Sequence, residues 1–125
     1  MKIQKITYWI ATGLLVLGML ATFANYFFNP DFKKIFAHLG FPDWFRVELG
    51  IAKLLGAFAV AIPAVPARVK EWAYFGFLLS FSSAVIAHYN AGDPVFNMVA
   101  PLIMLLVLVV SYISFHKVIL QKKLT

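Results

Sequence analysis

The sequence predicts an all-α integral membrane protein: a four-helix bundle with a short interfacial helix between spans 1 and 2. Three observations carry this reading. Of its 125 residues, 62% are hydrophobic and only 13% charged, too little polarity to clothe a water-facing domain, where about a quarter of residues are charged. The apolar residues gather into four runs near the length of about 20 that crosses the hydrocarbon core of a bilayer. Prolines and most basic residues fall between these runs or at their ends, apart from Pro101 and the charges discussed below.

The first run, "ITYWIATGLLVLGMLATFANYFF", covers residues 6–28 behind Lys2 and Lys5. A basic start and an apolar middle also describe a signal peptide, but the run is too long and lacks a small-x-small cleavage site, so a retained helix is expected. "NPDFKKIFAHLGF" follows. Asn29 suits a helix cap, Pro30 the first position, Asp31 the first turn and Gly40 the residue after the end. Phe32, Ile35, Phe36 and Leu39 share one helical face, with Lys33, Lys34 and His38 off it, which predicts a short helix lying along a membrane surface.

The second span is expected at about 43–62, capped by Asp43. Pro63 and Pro66 break the chain, and the third span follows at about 71–89. In "NAGDP", Gly92 ends one helix, Asp93 caps the next and Pro94 opens it. The fourth span, about 95–118, carries Pro101, where a kink is expected that neighbouring helices accommodate. Four spans put both termini on one side. Lys2, Lys5, Arg68, Lys70, Lys117, Lys122 and Lys123 fall there and Lys33, Lys34 and Arg46 opposite, which predicts cytoplasmic termini and a multi-pass cell-membrane location. No repeat or linker interrupts the chain, so one domain over residues 1–125 is expected.

The composition excludes several functions. The net charge of +6 sits mostly at span ends, which suits anionic lipid rather than nucleic acid. With no cysteine, thiol redox and thiolate metal sites are absent. His38, His88 and His116 are too scattered for zinc, copper or haem. No phosphate-binding glycine loop and no spaced Ser–His–acid set occurs.

What remains are polar groups inside apolar helices. Small residues bring membrane helices together. Ala52, Gly56 and Ala59 form such a stripe on the second span, with Glu48 one turn before it. Gly76, Ser80, Ser83, Ala84 and Ala87 form one on the third, with His88 one turn after Ala84. On the first span Gly18, Ala21, Thr22 and Asn25 fall together. Asn25, Glu48, His88 and Asn97 all lie within about a turn of the outer boundary. Four helices thus offer one polar side chain each at one depth, and Lys53 lies deeper. Tyr26, Phe27, Trp44, Arg46, Tyr89 and Asp93 form the expected rim. An intramembrane carboxylate must find a partner, so Glu48 and His88 are expected within hydrogen-bonding or one-water reach, as structural glue or as a ligand or proton site.

Residues 47–94, "VELGIAKLLGAFAVAIPAVPARVKEWAYFGFLLSFSSAVIAHYNAGDP", resemble the DoxX-like family of small four-span membrane proteins. The matching features are Glu48 before a Lys- and Gly-containing apolar run, Pro63, "KEWAYFGF" and "AHYNAGDP"; the likeness extends more loosely along nearly the whole chain. The resemblance implies links to quinone-linked oxidation of sulfur compounds, to oxidative-stress complexes or to assembly of other membrane proteins. The absence of cysteine bars any thiol-based role from carrying over. Three functions follow as expectations: an accessory, non-enzymatic protein whose outer pocket binds a small amphiphile such as a quinone or lipid; a structural or chaperone-like partner of another membrane protein, or of its own copies; and a subunit of a quinone-linked oxidoreductase.

Overall fold

A computed structural model describes residues 2–120, with side chains described through residue 118. Every regular element among them is helical: α1 Lys2–Phe28, α2 Pro30–His38, α3 Asp43–Ala61, α4 Ala67–Asn90 and α5 Phe96–Phe115, the last running into a π turn His116–Leu120. α1 packs against α3 and α5, and α4 against the same two, so the four long helices form a closed ring in the order α1, α3, α4, α5. α2 packs on α1 and α3 at the end where α1 finishes. Among the described residues, two helices are long and apolar enough to cross a membrane, Lys2–Phe28 and Phe96–Val118.

The helix boundaries have local causes. The Asn29 side chain accepts a bond from the Asp31 backbone N–H at 3.0 Å and Pro30 opens α2, satisfying a donor that the helix start leaves open. Gly40 and Gly92 take the left-handed backbone that ends α2 and α4, with φ of 89° and 77°, a conformation glycine adopts without a Cβ penalty. Two expected caps are corrected. Pro42, not Asp43, precedes α3, and Asp43 instead accepts from Arg46 Nε at 3.0 Å. Val95 stands before α5, because the Asp93 carboxylate is taken by two histidines.

The core runs along the ring's axis. Leu15, Met19, Ala57, Val60, Tyr74, Phe77, Phe81, Leu108 and Phe115 form one buried cluster with Tyr8. A polar chain crosses it: the Ser111 hydroxyl lies 2.7 Å from Thr12 Oγ1 and 2.7 Å from the Tyr74 hydroxyl, joining α5 to α1 and α4. All three residues are buried. At the far end, the Tyr112 hydroxyl donates to Glu71 Oε2 at 2.8 Å. His116 Nε2 lies 2.8 Å from the other Glu71 oxygen but off the hydrogen-bonding direction, so this contact is electrostatic.

Lys70 departs from its expected role as a flanking charge. It is 2% exposed, and its Nζ donates to the carbonyls of Ala59, Val60 and Ile62 at 2.8, 3.2 and 2.8 Å. It closes the end of α3. Lys122 and Lys123 lie outside the described residues.

Candidate functional site

The contact between α3 and α4 is the sparsest of the four around the ring, and a cavity opens beside it. Its volume is about 390 Å³, and Leu49 and Lys53 of α3 face Gly76, Leu79, Ser80, Ser83, Ala84 and His88 of α4 across it. The small residues of α4 explain the space. A Cβ added at Gly76 would meet nothing within 4 Å, so this part of the stripe lines a void rather than a helix contact. Lower down the same groove the stripe behaves as expected. A Cβ at Gly56 would come within 2.6 Å of the Phe77 ring, so α3 and α4 meet closely there.

α2 supplies the roof. Phe32, Ile35, Phe36 and Leu39, its apolar face, all line the cavity together with Phe41 and Phe45. Phe36 stands edge-on to Tyr26 at 4.9 Å between ring centres and also neighbours Phe41 and Phe45. Aromatic contacts of this geometry add to simple area burial, and they fix α2 over the cavity.

One carboxylate pins the roof's other end. Asp93, in the α4–α5 turn, has Oδ1 2.7 Å from His38 Nε2 and Oδ2 2.7 Å from His88 Nδ1. The bonds from His88 first, then His38, hold its carboxyl below the usual carboxylate range. An ionised carboxylate only accepts, so both facing ring nitrogens carry protons. In neutral His88 this leaves Nε2 with the lone pair, on a ring that lines the cavity. The three side chains clasp α2 to the α4–α5 turn. No set of three ligands able to hold a metal occurs among the described residues.

Lys53 is the cavity's charged group. It is 7% exposed. Its Nζ donates to the Tyr26 hydroxyl at 3.1 Å and lies 5.1 Å and 5.5 Å from the ring centres of Tyr26 and Phe81, within the reach of cation–π attraction. Ser80 lines the same cavity, and its buried hydroxyl has no hydrogen-bond partner. Ser83 and His88 add two polar groups to a wall that is mostly apolar.

The structure thus gathers some of the residues singled out from sequence and disperses others. Tyr26, Lys53 and His88 line the cavity, and Asp93 holds His88. Asn25, Glu48, Asn97, Trp44 and Tyr89 are exposed. Arg46 turns inward but is used structurally, bonding the Tyr26 carbonyl and Asp43. The expected Glu48–His88 pair does not form. His88 takes Asp93, and Glu48 has no hydrogen bond or ion pair among the described residues. The reason is angular. Glu48 and Lys53 are five residues apart, or about 140° around a helix of 3.6 residues per turn. The inward face of α3 is Gly50, Lys53, Ala57 and Val60, so Glu48 turns out. Sequence reasoning missed Ser80, His38 and the roofing role of α2. The regular apolar face of α2 was a signal for the last; nothing in sequence brings His38 to Asp93, 55 residues on.

An apolar cavity with a few hydrogen-bond donors, roofed by an amphipathic helix, defines the class: an all-helical chain with a small-molecule-sized pocket. The family model for the DoxX-like family matches residues 10–111, and the chain belongs to that family. It matches no curated protein and no solved structure.

Proposed function

We propose that the chain is a multi-pass membrane protein, a four-helix bundle with both termini cytoplasmic and α2 lying at the outer interface, and that it serves as an accessory, non-enzymatic binder of a small amphiphile such as a quinone or lipid. The observation that carries this reading is the cavity beneath α2. Its 390 Å³ falls in the range of about 300–1,000 Å³ typical of small-molecule sites. Its donors, Lys53 and Ser80, suit a ligand that accepts hydrogen bonds, and quinone carbonyls are acceptors of that kind.

Several features support the membrane setting. Apolar side chains lie exposed on all four long helices, among them Leu14, Leu17, Leu55, Phe58, Leu79, Ile86, Leu106 and Ile113. Lipid accounts for them where water does not. The shortest long helix, α3, has 19 residues, or about 28 Å at 1.5 Å per residue, close to the hydrocarbon thickness. Lys2, Lys5, Arg68 and Lys117 are exposed at the terminal end, in keeping with cytoplasmic termini.

The test is purification in mild detergent, with mass spectrometry of bound lipids and proteins, on the wild type and Gly76→Leu. The leucine fills space where a Cβ meets nothing. A bound amphiphile that is lost in the folded variant supports the reading. A stoichiometric protein instead, unaffected by the variant, supports the structural or chaperone-like role, and a redox subunit the oxidoreductase role; either would overturn the amphiphile reading.

A further inference from the structure

Lys53 sits where an ammonium group is hardest to keep. It is buried mid-helix, where the backbone carbonyls around it are already committed to α3's own ladder. Its three N–H bonds meet one acceptor, the Tyr26 hydroxyl, and two aromatic faces. No Asp or Glu among the described residues pairs with it. Glu48 and Asp93, the acids nearest in depth, are turned outward and held by histidines respectively. A buried cation without a counter-charge is costly unless something pairs it.

A second orphan lies across the same space. Ser80 has a buried hydroxyl with no partner, and it lines the roofed cavity together with Lys53. Both also line the apolar groove below, formed with Ala52, Gly56, Ala59 and Ala73 and about 370 Å³ in volume. Lys53 and Ser80 therefore stand between two apolar spaces. A neutral carbonyl would satisfy hydrogen bonds there but leave the charge. A group bearing one negative charge and two acceptor oxygens would satisfy both.

The geometry points to a single-chain amphiphile with a carboxylate head, a fatty-acid-like monoanion, whose oxygens bond Lys53 Nζ and Ser80 Oγ while its tail fills the apolar space between α3 and α4. The inference rests on the amphiphile reading above and specifies the head. Single charge matches one lysine. A single tail matches the groove's volume of about 370 Å³.

Purified protein in neutral-detergent micelles at about pH 8, where a carboxylate is ionised, is titrated with tritiated dodecanoate. Dodecan-1-ol, a decyl-substituted benzoquinone and dodecyl phosphate compete. Dodecanoate is expected to bind saturably and about ten- to a hundredfold more tightly than the two neutral heads, the span of one charge-assisted hydrogen bond. Lys53→Met keeps the unbranched stem and should erase that preference; Lys53→Arg should restore it. Equal binding of charged and neutral heads overturns the carboxylate while leaving the amphiphile pocket standing. Tighter binding of dodecyl phosphate also overturns it, in favour of a phosphate head. No saturable binding by any of the four probes removes both proposals. Should Lys53→Met fail to fold, the ranking of heads on the wild type still decides.

Discussion

Ser111→Ala is the sharpest test of how the long helices are held together. The Ser111 hydroxyl is fully buried and touches two partners, Thr12 and Tyr74, each at 2.7 Å. Its removal breaks both contacts and takes one partner from each of two hydroxyls. In water-soluble cores a stranded buried group costs about 1–3 kcal/mol. Between membrane helices the average falls to about 0.6 kcal/mol per interaction, with about 1.7 at the upper end, because separated helices find other partners. Thr12 has such an escape, since a helical threonine hydroxyl can turn to a carbonyl one turn back on its own helix. The Tyr74 phenol keeps Thr12 and Tyr8 as polar neighbours. The expected loss is therefore about 0.6–1.7 kcal/mol. Reversible unfolding in mixed micelles with rising SDS measures it. A cycle with Thr12→Val, which keeps the shape, should give a coupling above about 0.5 kcal/mol. A Ser111→Ala protein within about 0.3 kcal/mol of wild type, with no coupling to Thr12, would refute the view that this chain ties α5 to α1 and α4.

Three further outcomes are expected. Lys70→Met should cost about 2–4 kcal/mol in the same unfolding assay, because charged hydrogen bonds to three carbonyls are lost and the α3 end is left open; a cost below that of Ser111→Ala counts against the capping role. Gly56→Ala should destabilise by about 1–3 kcal/mol, since the buried Phe77 ring must move, whereas Gly18→Ala should be nearly neutral because its Cβ meets only the flexible end of Met104, as melting temperatures of the two would show. Asp93 has a lowered folded pKa, so its contribution is complete above the ordinary carboxylate value of about 4 and disappears as pH falls through the folded value; melting of the wild type should decline through that acid window, and Asp93→Asn should start lower and show a flatter acid limb.

The parts of the site that sequence reveals are those set by position along the helix. Depth is read by counting residues, and Tyr26, Lys53 and His88 do reach the cavity. Orientation around the axis is not read that way. Glu48 shares its level with His88, yet α3 is rotated so that Gly50, Lys53 and Ala57 face in. The small stripe 52–56–59 pointed to the face toward α4, and Gly56 does contact Phe77 there. Glu48 continues the stripe upward but lies off the wall of the cavity, which Leu49 and Lys53 line, and so it stays exposed. The α4 stripe is ambiguous for the same reason. A row of glycine, serine and alanine permits close packing and equally leaves room, and only the arrangement of the opposite helix decides between them. The clasp by His38, Asp93 and His88 joins α2 to a turn distant in sequence, and no local pattern encodes it.

The two buried lysines show how one residue type takes two roles. Lys70 faces the end of α3, where the ladder is broken: Pro63 has no N–H to give the Ala59 carbonyl four residues before it. The carbonyls of Ala59, Val60 and Ile62 are left facing Lys70, and its ammonium fills the place of the missing donors. Lys53 lies mid-helix in α3, with no such break near it. Backbone cannot serve it, a single phenol and two rings do so only in part, and an orphaned serine hydroxyl lines the same space. The distinction lies in where each lysine falls relative to a helix end rather than in how deeply it is buried. It makes Lys70 a structural cap, whose loss should weaken the fold whatever is bound. Lys53, with the Tyr26 hydroxyl as its acceptor, is the position where the proposed ligand would bind, so its replacement should change what binds far more than how tightly the helices hold.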